Sequence, residues 1–527
     1  MITMQPEHVP VVVIGAGPTG ASTAVMLGQR GVRCLVLERW PEVYPLPRAV
    51  HFDDEVFRIF AEMDLADEVA AISRPITGMR LTDRRHRVLA ELNRDASQHG
   101  YPQSNMFDQP ALERVLLSAL NRYPSVELRG GFDVAEIAEV AGGPGPVRVR
   151  YRAAGTGPVR EVWADYVLGA DGANSRTRAA VGATMEDLRF QQQWLVVDVE
   201  SPEPFTVYDG AQQVCDHDRA ATFMPVVPGR YRWEFRLRAD ERPEDFDHAK
   251  VLELIRPWVS GVDIDKLTFL RQATYTFRGV VADRWRNGRV FLLGDAAHLT
   301  PPFIGQGMCA GIRDAANLAW KLALVVQGHA DERLLDTYEA ERRPYARRVV
   351  QLAIFIGWLM TGGTARTAAI RRAVLRLATR IPGSATRTVH TMWPAFGEGP
   401  LVHPRRRDPI VGRLCPQPRV GGALLDDLLG TGFAIVYRGP DRIATYDPQA
   451  REFFDRLGTS VVRVDDLPDG AALERLLDNA RADALLLRPD RIVAAAADTP
   501  DLRAWLRQLR AAGIHPAENP AEVRHAR

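Results

Sequence analysis

Cysteine, net charge and long apolar runs are what this chain has least of, and each shortage closes off a class of protein. Four cysteines occur in 527 residues: Cys34, Cys215, Cys309 and Cys415. None falls in a CxxC pair or at metal-ligand spacing, which excludes a disulfide scaffold, dithiol exchange and a cysteine-built metal site. Buried free thiols in a reducing cytoplasm are expected, and no metal. Lys and Arg number 67 against 66 Asp and Glu, a net charge of +1. No overall field draws nucleic acid or an anionic membrane. The apolar stretch 352–360 is too short to span a bilayer and reads as the buried face of a long helix. The run 9–14 is no export signal, because Glu7 stands where a basic n-region belongs.

What is present is ordinary in bulk and specific in three places. Hydrophobic residues make up 46% and charged residues 25%, the balance of a soluble globular protein. The length allows about two to four domains with ample core. The first specific feature is Gly15-Ala-Gly17-Pro-Thr-Gly20, directly after the apolar run 9–14 and before an amphipathic stretch 21–30. A second apolar run, 32–37, ends at Glu38, 23 residues after Gly15. Strand, Gly turn, helix, strand, acid is the order a dinucleotide needs. Glycines admit its pyrophosphate, the helix N-terminus supplies N–H groups, and the acid takes a ribose hydroxyl pair. A Gly loop alone can serve packing only; the flanking strand and acid carry the reading.

The second feature is the strand Tyr166-Val-Leu-Gly-Ala170 running into Asp171-Gly172-Ala-Asn-Ser175-Arg176. By itself it suits a turn and a helix cap. The third is the strand Arg289-Val-Phe-Leu-Leu293, then Gly294-Asp295-Ala-Ala-His298, Pro301-Pro302-Phe303-Ile304-Gly305-Gln306-Gly307 and a helix from Met308 to about Leu324. A strand-end carboxylate can bind a ribityl or ribose hydroxyl, and Gly-x-Gly before a helix admits a ring carbonyl or phosphate.

Taken in order, the three motifs resemble those of the single-component flavoprotein aromatic hydroxylases, the family of para-hydroxybenzoate and phenol hydroxylases, over about residues 9–348. The resemblance implies an α/β protein. A Rossmann-type FAD-binding domain would occupy 1–183 and 271–381, with an inserted β-rich substrate domain at 184–270. A linker at 382–420 and a thioredoxin-like domain at 421–527, without CxxC, would follow. It implies that Gly15, Gly17 and Gly20 face the FAD pyrophosphate and that Glu38, with Arg39 beside it, holds the adenosine ribose. Arg48 and Gln109 would contact FAD, and Asp171 with Gly172 would serve both FAD and NAD(P)H. Gly294 and Asp295 would bind the ribityl region, and Pro302, Gly305, Gln306, Gly307 and Met308 would line the isoalloxazine.

A narrower resemblance, to the 3-(3-hydroxyphenyl)propionate hydroxylases of that family, runs nearly end to end. It rests on Pro47-Arg-Ala49, Asp53-Asp-Glu55, Arg313-Asp-Ala315, Asn317-Leu-Ala-Trp-Lys-Leu322, Leu335-Asp-Thr-Tyr338, Glu341-Arg-Arg343 and Arg488-Pro-Asp-Arg491. It implies ortho-hydroxylation of a phenol with a short acid chain to a catechol, 3-hydroxycinnamate included. NADH or NADPH would reduce FAD, O2 would add at flavin C4a, and the terminal oxygen would pass to the ring. Pro302-Phe303-Ile304 and His51 depart from that pattern and bear on the substrate. Arg48 and His51 are the catalytic candidates. A lone His is also a common hydrogen-bonded structural residue.

Strand-like alternation at 193–199 and 231–237 offers Trp194, Phe223 and Trp233, with Phe303, as aromatics to stack on the phenol; core packing is the plainer reading of any one of them. Residues 331–377 read as helical with a break at Gly362-Gly363, and Arg405-Arg-Arg407 as a solvated basic run. From 421 on, strands at 433–437 and 461–464, helices at 452–457 and 473–480, a hairpin at 484–496 and a closing helix at 500–512 form a module for structure or homodimer contact. Other phenols, such as resorcinol or an aromatic polyketide, remain alternative substrates. An amine oxidase or dehydrogenase and a redox-inert flavin-binding protein are the readings of other classes.

Overall fold

A computed structural model describes residues 7–516 apart from 94–96, 140–144, 154–156, 206, 260, 363–392, 405–408 and 442–446. The core is a parallel sheet in the order Arg286–Asn287, Val290–Leu292, Arg160–Gly169, Glu7–Ile14, Cys34–Glu38, Val126–Gly130, the first pair antiparallel. Its middle strand carries an unbroken apolar run buried on both faces, as a sheet covered by helices requires. The helix Pro18–Gln29 starts with Pro at its first turn and packs on the helix Gly307–Val326, where Gly311 leaves room for Thr19; its own Gly20 and Gly28 make room for the Gly15 loop and Tyr123. Phe132–Glu139 and Val147–Ala153 extend the sheet as an antiparallel flap.

A second sheet of eight strands stands over the C-terminal ends of the first. Its order is His298–Leu299, Thr268–Ala282, Met185–Glu200, Arg230–Arg236, Ala221–Val227, Ala211–Val214, Gly78–Thr82, Val88–Asn93. This sheet reaches beyond the expected 184–270. Two strands come from earlier in the chain, since Gly78–Thr82 pairs in parallel with Ala211–Val214. Thr268–Ala282 stays paired with Met185–Glu200 as far as Ala282. Alternation divides its residues strictly. Leu195, Val197, Phe223, Trp233 and Phe235 face away and pack on the helix His248–Ile255. Trp194, Asp198, Arg232, Glu234 and Arg271 face the first domain.

Of the expected linker 382–420, residues 382–392 and 405–408 lie outside the described residues, as do the Arg405-Arg-Arg407 run and everything from Gly363 to 381. The long helix Asp336–Thr361 ends at Gly362, as the Gly-Gly break predicts. Its stretch 352–360 is only partly buried, because Phe355 and Trp358 are exposed.

The last module has strands in the order Ser460–Arg463, Ala434–Tyr437, Ala484–Leu487, Val493–Ala497, the first pair parallel and the rest antiparallel. Among the described residues a short helix, Leu425–Leu429, precedes these strands, and Pro448–Arg456, Ala471–Ala480 and Leu502–Ala511 complete the module. The helix Pro448–Arg456 begins four residues earlier than expected because the Asp447 carboxylate caps it through Gln449 N–H. The module is pinned by charge. Glu341 accepts from Arg488 at 2.7 and 2.9 Å and from Lys321 at 2.8 Å, and Asp426 takes a two-pronged bond from Arg58. All four cysteines are buried thiols, and burial pushes those of Cys34 and Cys415 up to about 12.

Candidate active site

The three Gly-rich motifs meet at one cleft between the parallel sheet and the second sheet. In the first motif the glycines have different duties. Gly15 has φ +95°, and a Cβ there would lie 2.5 Å from the Ala170 carbonyl oxygen. A Cβ on Gly20 would lie 1.9 Å from the Gly15 oxygen. Both are therefore packing glycines, and only Gly17, with nothing within 4 Å of its Cβ position, opens on the cleft. The Glu38 carboxylate sits at the loop, accepting from Ala16 N–H at 2.6 Å and Trp40 N–H at 3.0 Å. Arg39 is exposed, with its guanidinium 6.0 Å from the Trp40 ring centroid.

In the second motif Asp171 works as a helix cap. Its carboxylate accepts from Ser175 Oγ (2.6 Å), Arg176 N–H (2.9 Å), Thr177 N–H (3.0 Å) and Thr177 Oγ (3.1 Å). That leaves little capacity for a ligand. The capped helix instead aims Arg178 at the Ala296 carbonyl, 3.1 Å away, which ties the second motif to the third. Gly172, at φ +79°, has open space around it.

The third motif rests on a buried ionic lattice. Asp314 accepts from Gly294 N–H (3.0 Å) and Arg342 Nε (2.8 Å) and bonds His298 Nε2 (2.8 Å). Burial would raise its carboxyl, but Arg342 and His298 override this and hold it low. Gly294 is at φ +58°, and a Cβ would meet Thr19 Oγ at 2.8 Å. The next residue, Asp295, reaches solvent in the cleft, yet protein surrounds it closely enough that desolvation raises its carboxyl, with His298 and Arg48 pulling the other way. The Arg48 charge thus acts on Asp295.

Residues 305–307 show the same division of labour. Gly305, at φ +65°, would put a Cβ 2.7 Å from His51 Nδ1, whereas nothing lies within 4 Å of a Cβ on Gly307. His51 Nε2 bonds Ser104 Oγ at 2.7 Å, so the ring is wedged beneath the loop. The Gln306 side chain points away from the cleft. It donates to Asp53 (2.8 Å) and accepts from Arg313 (2.9 Å), which also bonds Asp53 and Glu55. Only the Gln306 backbone is left for a ligand. Burial alone would raise Asp53, but Arg313 holds it down at about 2. Pro302 and Met308 flank the loop, both partly buried.

Across the cleft the second sheet forms a roof with a charged centre. Asp198 accepts from Arg232 Nε at 2.6 Å and Nη2 at 2.9 Å. Arg232 also donates to the Arg48 carbonyl (2.6 Å) and the Pro47 carbonyl (2.8 Å), stapling the roof to loop 47–49. From the other side Gln109 Oε1 accepts from Arg48 N–H (3.2 Å) and Ala49 N–H (2.6 Å), and Glu113 binds the Arg48 guanidinium at 3.0 Å. Of the proposed aromatics, Trp194 and Phe303 meet edge to face at 5.7 Å on the roof's inner side. Phe223 and Trp233 do not join them. Both lie in the apolar core on the roof's outer face, because they are paired with each other on the face opposite Arg232 and Glu234.

Residues 8–353 match the family model described as FAD binding domain. The chain belongs to this FAD-binding family. Residues 412–512 match the HcaD C-terminal domain. The chain is 35% identical to a 3-(3-hydroxy-phenyl)propionate/3-hydroxycinnamic acid hydroxylase of Mycolicibacterium smegmatis, over 93% of this chain and 91% of that protein. It is also 35% identical to the protein of that name from Burkholderia cenocepacia, over 93% and 94%. Among solved structures, aklavinone-11 hydroxylase in complex with FAD and aklavinone has a TM-score of 0.79 at 28% identity, covering 97% of this chain and 99% of that one.

The cleft fits FAD on its own terms. Gly17 and Gly307 leave open space where a ligand could approach the backbone, the Glu38 carboxylate lies at the first loop, and Asp295 lies within reach of the Arg48 charge. Sequence reasoning missed Glu113, Asp198, Arg232 and Arg271. Arginines in an alternating strand read as solvent-facing, and only the register shows that these are buried. A separate cavity of about 180 Å³ shares Ile304 and Arg313 with the cleft wall but is otherwise lined by Asp54, Trp393, Phe396, Asp490 and their neighbours. No glycine of the three motifs lines it, so it is a seam between the FAD-binding body and the last module. Burial, with Asp53 and Glu55 nearby, pushes Asp54 there up to about 8. Among the described residues no cluster is placed to hold a metal ion, and no helix is long and apolar enough to cross a membrane.

Proposed function

We propose that this protein is an FAD-dependent, NAD(P)H-consuming monooxygenase that ortho-hydroxylates a phenol bearing a short acid chain, 3-(3-hydroxyphenyl)propionate or 3-hydroxycinnamate, in the cytoplasm. The observation that carries it is the pairing of two open glycine positions, Gly17 and Gly307, with a roofed cleft, in a chain alike from end to end to hydroxylases of that name. Bound FAD supplies hydride acceptance and O2 activation, which no side chain offers. The chain's own residues hold and screen. Glu38 and Asp295 take hydroxyls along the cofactor, Arg48 sets charge near its ring, and Trp194 with Phe303 closes one end of the cleft to water. His51, bonded to Ser104 and wedged against Gly305, positions the 305–307 loop. Acting on a phenol would require it to exchange that Ser104 bond for substrate. The last module, without a dithiol, serves structure.

The test is a phenol panel scored by NAD(P)H oxidation and by product. NAD(P)H oxidation should be slow in buffer and rise roughly tenfold or more with 3-(3-hydroxyphenyl)propionate, equal to about 1.4 kcal/mol of barrier, and a catechol should form. Equal rates with and without every phenol would overturn the reading. A response to large fused-ring phenols alone would move the substrate toward that of aklavinone-11 hydroxylase.

A further inference from the structure

The roof holds one cation that the protein leaves incomplete. Arg271, in the strand Thr268–Ala282, is 6% exposed and faces the cleft. Its Nη1 donates to the Pro47 carbonyl. Its Nε and Nη2 are buried and have no hydrogen-bond partner among the described residues. Buried guanidinium donors are normally satisfied, so two idle ones on a single side chain call for an acceptor.

The neighbouring arginine shows what kind. Arg232 sits on the same face, and its Nε and Nη2 form a two-pronged bond with the Asp198 carboxylate. Arg271 has the same Nε–Nη2 edge without the carboxylate. Asp198 cannot serve both; its closest approach to Arg271 is 3.9 Å, on the opposite nitrogen. Glu234 is near enough to feel the Arg271 charge but makes no bond with it among the described residues. The guanidinium lies 4.7 Å from the centroid of the Tyr275 ring, and this contact with the bond to Pro47 fixes the plane in which the idle edge points. A planar fork held in one orientation is matched by a carboxylate.

We propose that the Nε–Nη2 edge of Arg271 is the seat of the substrate's carboxylate. The proposal rests on the reading of the substrate as a hydroxyaryl acid. A phosphate of NAD(P)H has the same oxyanion chemistry, but it suits Arg48, whose side chain is 52% exposed at the mouth, better than a side chain closed inside the roof.

The experiment titrates the FAD-loaded enzyme with 3-(3-hydroxyphenyl)propionate and with its uncharged amide, following the flavin absorbance. Wild type, Arg271→Met and Arg271→Lys are compared, each first assayed for FAD content. Arg271→Met should weaken the acid roughly 10- to 100-fold, the range for a charge-assisted pair, and the amide less than about threefold by the same arithmetic. Arg271→Lys, a point charge without the fork, should fall between. Equal losses for acid and amide would reduce Arg271 to a support of loop 47–49 and overturn the proposal. An unchanged acid affinity with a raised KM for NADH or NADPH would overturn it in favour of the nucleotide phosphate. If wild type discriminates acid from amide through Arg271 yet makes no catechol, the hydroxylase reading fails and the seat stands. If wild type binds neither, both fail.

Discussion

At the scale of the residue, glycines of one motif are not equivalent, and substitution should separate them. Gly17→Val places its side chain in open space, so the protein should fold normally and lose FAD. Gly15→Val drives a side chain into the Ala170 carbonyl at a positive φ, so it should cost folding as well as cofactor. Flavin content and thermal melting, measured together, decide this; a Gly17→Val protein with stoichiometric FAD would remove the loop from the cofactor site. Asp295→Ala should weaken FAD about 10- to 100-fold, the value of a charge-assisted hydrogen bond. Unchanged FAD affinity in a folded variant would leave Asp295 without that role.

At the scale of the element, Gly305 and His51 form one unit. Gly305→Ala adds a methyl 2.7 Å from His51 Nδ1 on a left-handed backbone. The backbone cost is about 1 kcal/mol, and the clash adds to it. Removing the ring in Gly305→Ala/His51→Ala should recover the clash but not the backbone cost, giving a coupling of about 1 kcal/mol or more in a double-mutant cycle. Strict additivity in urea melts would show that ring and loop are independent. This is also the scale at which the sequence stops being legible. The run 9–14 with its glycines and the module after 421 could be read directly, because continuous apolar strands and local hairpins encode their own neighbours. The roof could not. Whether Trp194 or Trp233 faces the cleft depends on register between strands far apart in the chain, and no local pattern states it. Asp171 and Gln306 are visible in the sequence but their bonds are not: the Asp171 carboxylate caps a helix and the Gln306 side chain braces Arg313, since hydrogen bonds, not spacing, assign such duties.

At the scale of the whole molecule, the last module is held to the FAD-binding body by the lattice around Glu341. Burial would raise this carboxyl, but Arg488 and Lys321 hold it at about 2, against an ordinary 4.5. Its contribution is fully present above pH 4.5 and is lost as pH falls toward 2. The shift corresponds to about 3 kcal/mol. Lys321 bonds the same carboxylate and is nonetheless pushed down to about 8, because burial dominates and the Arg488 cation repels a second positive charge. Glu341→Gln leaves the buried Lys321 without a carboxylate, while Arg488 keeps its bonds to Asp490 at 2.6 and 2.9 Å, and should cost about 3–5 kcal/mol at neutral pH. The cost should shrink between pH 4.5 and 2. Denaturant melts across that range check it; a pH-independent loss would assign the effect to packing instead.

The membership of the roof sheet also bears on recombination between relatives. A segment swap confined to 184–270 would bring in new inner strands while keeping Gly78–Thr82 and Val88–Asn93 from the recipient, along with all of Thr268–Ala282 beyond its first three residues. The parallel seam between Ala211–Val214 and Gly78–Thr82 would then join partners of different ancestry, and a mismatch would bare a strand edge. Inherited substrate preference therefore travels as three separate pieces of gene, and loop 47–49, stapled to that sheet by Arg232, must travel with them.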